Sequence, residues 1–158
     1  MFKVGFGYDV HRLGKGRPLI LGGLRIPSTK GLLGHSDADV LTHAVIDAIL
    51  GALGKGDIGQ HFPDSNPAFR GADSLFLLEK VVTLARNERF KVNNLDATIV
   101  AQKPKMTQYL SEMEEQLSRV LEIAPHAVNV KATTTEGLGF SGREEGIAAY
   151  AVVSLDQK

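Results

Sequence analysis

The segment Phe2-Lys3-Val4-Gly5-Phe6-Gly7-Tyr8-Asp9-Val10-His11 alternates with a period of two, the signature of a β-strand. Residues two apart on a strand share a face, so Val4, Phe6, Tyr8 and Val10 point one way. Asp9 and His11 then lie side by side on the other face, and a carboxylate beside an imidazole is half of a metal site. His43, on the apolar-periodic stretch that begins near Ser36, is the expected third ligand. Two imidazoles and a carboxylate suit Zn²⁺ or another divalent ion and leave one coordination position open, as a catalytic metal requires.

Several further elements are legible. Leu19-Ile20-Leu21-Gly22-Gly23-Leu24-Arg25-Ile26 reads as two short strands joined by a Gly-Gly turn. Ser36 and Asp37 are expected to cap a helix whose apolar residues Val40, Leu41, Ala44, Val45, Ala48, Ile49, Ala52 and Leu53 recur at helical spacing. Residues 57–67 are dense in turn formers and predict a long loop. A second helix runs from about Ser74 to Arg89, capped by Asp73, and a strand spans about Leu95 to Ala101. Pro104 is expected to open a third helix that Pro125 closes, with strands at 128–133 and from Gly146 to Leu155. The glycines at 5, 7, 22, 23, 137, 139 and 142 are expected where loops meet ligands or turn tightly.

Four longer strands and three helices predict one α+β domain over residues 1–158: an open four-stranded mixed β-sheet with helices on one face, plus a small β-hairpin. The last strand, Ile147-Ala148-Ala149-Tyr150-Ala151-Val152-Val153, is apolar on both sides. A two-layer monomer has no use for that, so self-association over the uncovered sheet face is expected. The 18 basic and 18 acidic residues cancel, which leaves no footprint for nucleic acid and no polybasic membrane patch. There is no cysteine, hence no thiol nucleophile and no sulfur ligand. No apolar run reaches membrane-span length, and the N-terminus lacks the layout of a signal peptide, so a cytoplasmic location is expected.

Asp39, His43 and Asp47 make a polar stripe on the first helix, with Asp39 expected to orient an imidazole rather than bind metal. Taken alone, that stripe and the Asp9/His11 pair also fit solvated faces. The segment Lys131-Ala132-Thr133-Thr134-Thr135-Glu136-Gly137-Leu138-Gly139-Phe140-Ser141-Gly142-Arg143 carries hydroxyls, a carboxylate, a Gly-rich turn and an arginine. That set can hold phosphate and a bridging cation; a β-rich threonine run before a flexible turn is the plainer reading. Gly137 to Gly142 spells G-x-G-x-x-G, but the stretch is expected to lead into a strand, and a dinucleotide fingerprint must open a helix. In Ala101-Gln102-Lys103-Pro104-Lys105-Met106-Thr107 a rigid turn can read a nucleobase edge while Lys105 reaches a phosphate; an ordinary proline turn fits equally. Asp57-Ile58-Gly59 and Phe62-Pro63-Asp64 offer carboxylates for hydroxyl groups and a ring for apolar contact, or plain turn chemistry.

Taken together, Gly7 to His11, Gly34 to Asp37 with His43, Gly56 to Gly59 with Phe62 to Asp64, Ala101 to Met106, and Val130 to Glu136 with Gly139-Phe140 and Gly142-Arg143 resemble one family over essentially the whole chain. It is that of the 2-C-methyl-D-erythritol 2,4-cyclodiphosphate synthases of non-mevalonate isoprenoid synthesis. The resemblance implies a homotrimer with interfacial active sites and a metal-dependent phosphorus–oxygen lyase. The implied substrate is 4-diphosphocytidyl-2-C-methyl-D-erythritol 2-phosphate, whose 2-phosphate attacks the β-phosphorus and expels CMP. It implies Zn²⁺ on Asp9, His11 and His43, Mg²⁺ or Mn²⁺ near Glu136, and His35 and Thr134 flanking the transition state. It also implies substrate contacts from Ser36, from Asp57 to Gly59, from Phe62 to Asn66 (Pro63, Asp64 and Ser65 included), from Ala101 to Thr107, and from Thr133, Thr135 and Phe140. Arg143 would line a cavity on the trimer axis that can accept an isoprenoid diphosphate. Two other classes fit parts of the pattern. A non-haem Fe(II) oxygenase shares the two-His, one-carboxylate set but belongs on a many-stranded barrel, and a non-catalytic trimeric nucleotide-binding sensor leaves the open metal position unexplained.

Overall fold

The computed structural model describes residues 1–158. A five-stranded sheet runs in the order β4-β1-β7-β5-β6, where β1 is Phe2–Gly14, β4 Gly31–Leu32, β5 Phe90–Val100, β6 Val128–Thr133 and β7 Gly146–Gln157. All pairs are antiparallel except β5 with β6. The expected count of four misses β4, whose two residues close on Leu13 and Gly14 and are too short to carry any periodicity. The hairpin is as expected, β2 (Leu19–Leu21) against β3 (Leu24–Ile26), turning at Gly22 and Gly23 with φ of 59° and 75°.

The helices α1 (Val40–Leu53), α3 (Ser74–Asn87) and α4 (Leu110–Leu121) cover one face of the sheet around a single cluster of 37 buried apolar residues. Two one-turn helices complete the set, α2 (Ile58–His61) and α5 (Gly139–Gly142). Several boundaries differ from expectation, each because a local group is spent elsewhere. Asp39, not Ser36 or Asp37, caps α1, and Asp37 is tied to α3 instead. The 57–67 stretch is not all loop: Asp57 caps α2, and Asn66 caps a 3₁₀ turn at Pro67–Phe69. Pro104 lies in a loop anchored by the buried Met106, so α4 starts only at Leu110. It ends on Glu122, in the left-handed region at φ 59°, ahead of Pro125. The 137–142 glycines do make a helical turn before β7, but four residues are not a dinucleotide-binding helix.

The packing of α1 on β1 positions the site. A Cβ on Gly5 would lie 1.8 Å from the carbonyl oxygen of Ala48, and one on Gly7 would lie 1.9 Å from that of Ala44. These glycines serve neither loop nor ligand; they let the helix backbone descend onto the strand. Gly5, Gly7, Asp9 and His11 share this inward face, so the close approach that needs no side chain at 5 and 7 also brings His43 down to Asp9. The outward face keeps its apolar residues in the open: Phe2, Val4, Phe6, Tyr8, Val10, Tyr150 and Val152 are all exposed.

Candidate metal centre

Asp9 Oδ2, His11 Nε2 and His43 Nδ1 converge, with separations of 2.9 Å (Asp9–His11), 3.1 Å (Asp9–His43) and 3.2 Å (His11–His43). The edge of a tetrahedron with ligand bonds near 2.05 Å is about 3.3 Å, so the three atoms already sit close to the corners of a zinc-sized polyhedron. Their proton inventory is more telling. His11 Nδ1 lies 2.9 Å from the carbonyl of Leu33, which only accepts, so Nδ1 carries the hydrogen and Nε2 is bare. His43 Nε2 lies 2.8 Å from Ser74 Oγ, whose own hydroxyl donates to Asp37, so Nε2 carries the hydrogen and Nδ1 is bare. Two imidazole lone pairs and a carboxylate oxygen therefore face one point, an arrangement that repels itself unless a cation occupies it. The residues fit a divalent ion, and the Asp9–His11–His43 group can hold one.

Without metal, the same geometry favours a proton on His11. Burial alone would raise the Asp9 carboxyl, but the hydrogen bonds and charges of His11 and His43 outweigh it and hold Asp9 down at about 2. Burial likewise disfavours charged His11, yet Asp9 and the Leu33 carbonyl win and its pKa is raised. A raised imidazole contributes stability below its ordinary 6.5, and that contribution fades as pH rises through the shifted value. Asp9 stays ionised throughout this window. Metal competes with the proton, so added Zn²⁺ should raise the melting temperature more at about pH 8 than at about pH 5.5. Equal gains at both pH values in a thermal melt would contradict the competition.

The centre opens into a cleft of about 450 Å³ whose walls include His35, Ser36, Ile58, Gly59, Phe62, Pro63, Asp64 and Ser65. His35 Nε2 lies 3.3 Å from the carbonyl of Asn66. Asp57 is exposed and caps α2 through Gln60, while Asp47 on α1 accepts from the amide of Ile58 at 2.7 Å and so pins the cleft wall. A separate cavity of about 280 Å³ is lined by Ala101, Gln102, Pro104, Lys105, Met106, Thr107, Thr133 and Thr134, with Lys103 exposed on the same loop. The two cavities share no residue, so one chain does not bring His35 and Thr134 together. Glu136 is exposed at φ 57°, its amide donating to Thr134 Oγ1, and it joins no cluster of acidic or imidazole groups. Thr135 donates to the Leu138 carbonyl, Phe140 is exposed on α5, and Arg143 pairs with Glu145.

Asp39 does not orient an imidazole. Its buried carboxylate accepts from the amides of Gly22, Gly23 and Thr42 and from the Thr42 hydroxyl, joining the hairpin to the start of α1. Its pKa is raised because it is wholly buried, with the Asp37 charge adding to the effect. The groups that do touch His43 Nε2 are Ser74 at 2.8 Å, which in sequence looks like any first-turn helix residue, and Ser36 at 3.2 Å.

The YgbB family model matches residues 2–156. A 2-C-methyl-D-erythritol 2,4-cyclodiphosphate synthase of Geobacillus sp. (strain WCH70) is 60% identical over the full length of both chains. Among solved structures, the bifunctional IspDF of Campylobacter jejuni superposes with a TM-score of 0.96 at 43% identity. It covers all of this chain, which spans 43% of that longer one. IspF of Plasmodium falciparum, solved as a CDP complex, gives a TM-score of 0.87 at 32% identity over 99% of this chain and 97% of its own. The match takes in the strand and helix that supply all three converging ligands, and the chain belongs to the YgbB family.

Proposed function

We propose that the chain is a 2-C-methyl-D-erythritol 2,4-cyclodiphosphate synthase, a metal-dependent phosphorus–oxygen lyase of non-mevalonate isoprenoid synthesis. The observation that carries this is the convergence of three lone pairs at the mouth of a cleft, in a chain of this family. In the reaction, a 2-phosphate oxygen of 4-diphosphocytidyl-2-C-methyl-D-erythritol 2-phosphate bonds to the β-phosphorus. The bond from that phosphorus to the bridging oxygen breaks, and its electron pair leaves with CMP. A phosphate dianion is already a nucleophile, so the protein needs positioning and charge neutralisation rather than a strong base.

Bound Zn²⁺ at Asp9, His11 and His43, with Mg²⁺ or Mn²⁺ near Glu136, would supply Lewis-acid neutralisation of phosphoryl oxygens. The remaining residues orient. Asp57 and Asp64 would accept from substrate hydroxyls, the amide of Gly59 would donate, and Ile58, whose own amide is held by Asp47, would cover the apolar edge with Phe62 and Pro63. Ser65 belongs to that wall, Asn66 meets it through its carbonyl 3.3 Å from His35 Nε2, and Ser36 stands 3.2 Å from His43 Nε2. Cytosine would sit in the second cavity against the Ala101–Thr107 turn, with Lys105, Thr133 and Thr135 near its phosphates. His35 and Thr134 would face the transferred phosphoryl from opposite sides.

Because those two residues line separate cavities of one chain, the complete site needs a neighbouring copy, in keeping with a homotrimer built on the open apolar sheet face. Arg143 and Phe140, at the β7 end, would then lie toward the trimer axis. Incubation with the cytidyl diphosphate substrate and a divalent ion should release CMP and the cyclic diphosphate in equal amounts. Binding without CMP release would favour a nucleotide sensor, and turnover that requires O₂ would favour an oxygenase.

A further inference from the structure

We propose that Asp37, acting through Ser74, is a positioning pair that locks the His43 imidazole and strengthens its Nδ1 as a ligand, and so sets the affinity of the divalent ion. The proposal rests on the metal reading of Asp9, His11 and His43 and adds two residues that touch neither metal nor substrate.

Ser74 is fully buried at the start of α3, with Oγ 2.8 Å from His43 Nε2. Its one hydroxyl proton goes to Asp37 Oδ1 in a short hydrogen bond, and its backbone amide donates to Asp37 Oδ2 at 3.0 Å. One carboxylate thus takes both donors of Ser74, leaving the oxygen only lone pairs to offer His43. Nε2 must donate, and Nδ1 is held bare toward Asp9. Ser36 Oγ is a weaker partner: it stands at 3.2 Å from Nε2 and already accepts from the amide of Ala38.

Asp37 is itself fixed. Its amide donates to the Ala72 carbonyl at 3.0 Å, and Oδ1 also accepts from the Asp39 amide at 3.1 Å. The neighbouring Gly71 amide donates to the His35 carbonyl at 2.7 Å, so the 35–39 turn and the entry to α3 are joined behind the imidazole. A carboxylate one hydroxyl away polarises the Nε2–H bond and moves electron density to Nδ1, as partners behind a metal-bound histidine do. A serine serving only to begin a helix has no such reach.

The test uses full-length wild type, Ser74→Ala, Asp37→Asn and the double variant. Co²⁺ affinity is measured by competition with a chelator, alongside the visible Co²⁺ spectrum and the melting temperature of the metal-free protein. Each single variant should bind Co²⁺ about 10- to 100-fold more weakly. The double should lose no more than Ser74→Ala alone, because Asp37 acts only through that hydroxyl. Lowered melting temperatures with unchanged Co²⁺ affinity, or additive losses, would overturn the proposal. Should Ser74→Ala fail to fold, Asp37→Asn decides alone: Co²⁺ affinity equal to wild type overturns the pair. Failure of wild type to take up Co²⁺ would remove the metal reading itself, a different result from variants that bind as wild type does.

Discussion

His43→Ala should lose more than about 100-fold in divalent-metal affinity, beyond the range of changes behind a ligand, and should cease to release CMP. Three lone pairs face one point, and His43 brings one of them from a different element than the other two. Its removal leaves only the adjacent pair on β1, which cannot surround an ion. The fold should survive, because alanine is a good helix former and α1 is held by the buried residues on either side of position 43. Metal analysis and CMP release, measured beside a cooperative thermal melt, check this together. Turnover like that of wild type would take the ion out of the mechanism.

Gly7→Val should be destabilised by about 4 kcal/mol or more, in the range reserved for buried clashes with no route to relax. The new Cβ would meet the Ala44 carbonyl oxygen at 1.9 Å and the Ala48 amide nitrogen at 2.8 Å, and helix backbone cannot rotate out of the way as a side chain can. Lifting α1 off β1 would also carry His43 away from Asp9, so metal affinity should fall with stability. Gly51→Ala is the contrast on the same helix. Its nearest neighbour is 3.7 Å away, and the change should stabilise by about 0.5–1 kcal/mol through helix propensity. Urea midpoints settle both, and a Gly7→Val midpoint equal to wild type would refute the packing argument.

Much of this was legible in the residues, and what was missed shares one cause. The alternation of residues 2–11 separates two faces correctly, but period alone does not say which face the helices cover. Here the covered face is the one with two glycines, because α1 needs room there, and the large apolar side chains are left outside. Helical spacing put Asp39 on the His43 stripe and suggested a contact. The carboxylate is claimed instead by hairpin amides at Gly22 and Gly23, a tertiary contact with no local trace. Ser74 was overlooked for the same reason: a hydroxyl after Asp73 looks like capping chemistry until α3 docks beside α1. Ligand chemistry travels in sequence, whereas orienting partners arrive through packing.

One divalent ion, held by a carboxylate oxygen and two imidazoles whose protons are turned away, is the centre of the proposed chemistry. Anomalous scattering from crystals of the purified protein, recorded on both sides of the zinc absorption edge, tests that directly. A single strong peak is expected within about 2.0–2.2 Å of Asp9 Oδ2, His11 Nε2 and His43 Nδ1. A map with no peak there after zinc is supplied, or with either imidazole rotated out of the cluster, would contradict it.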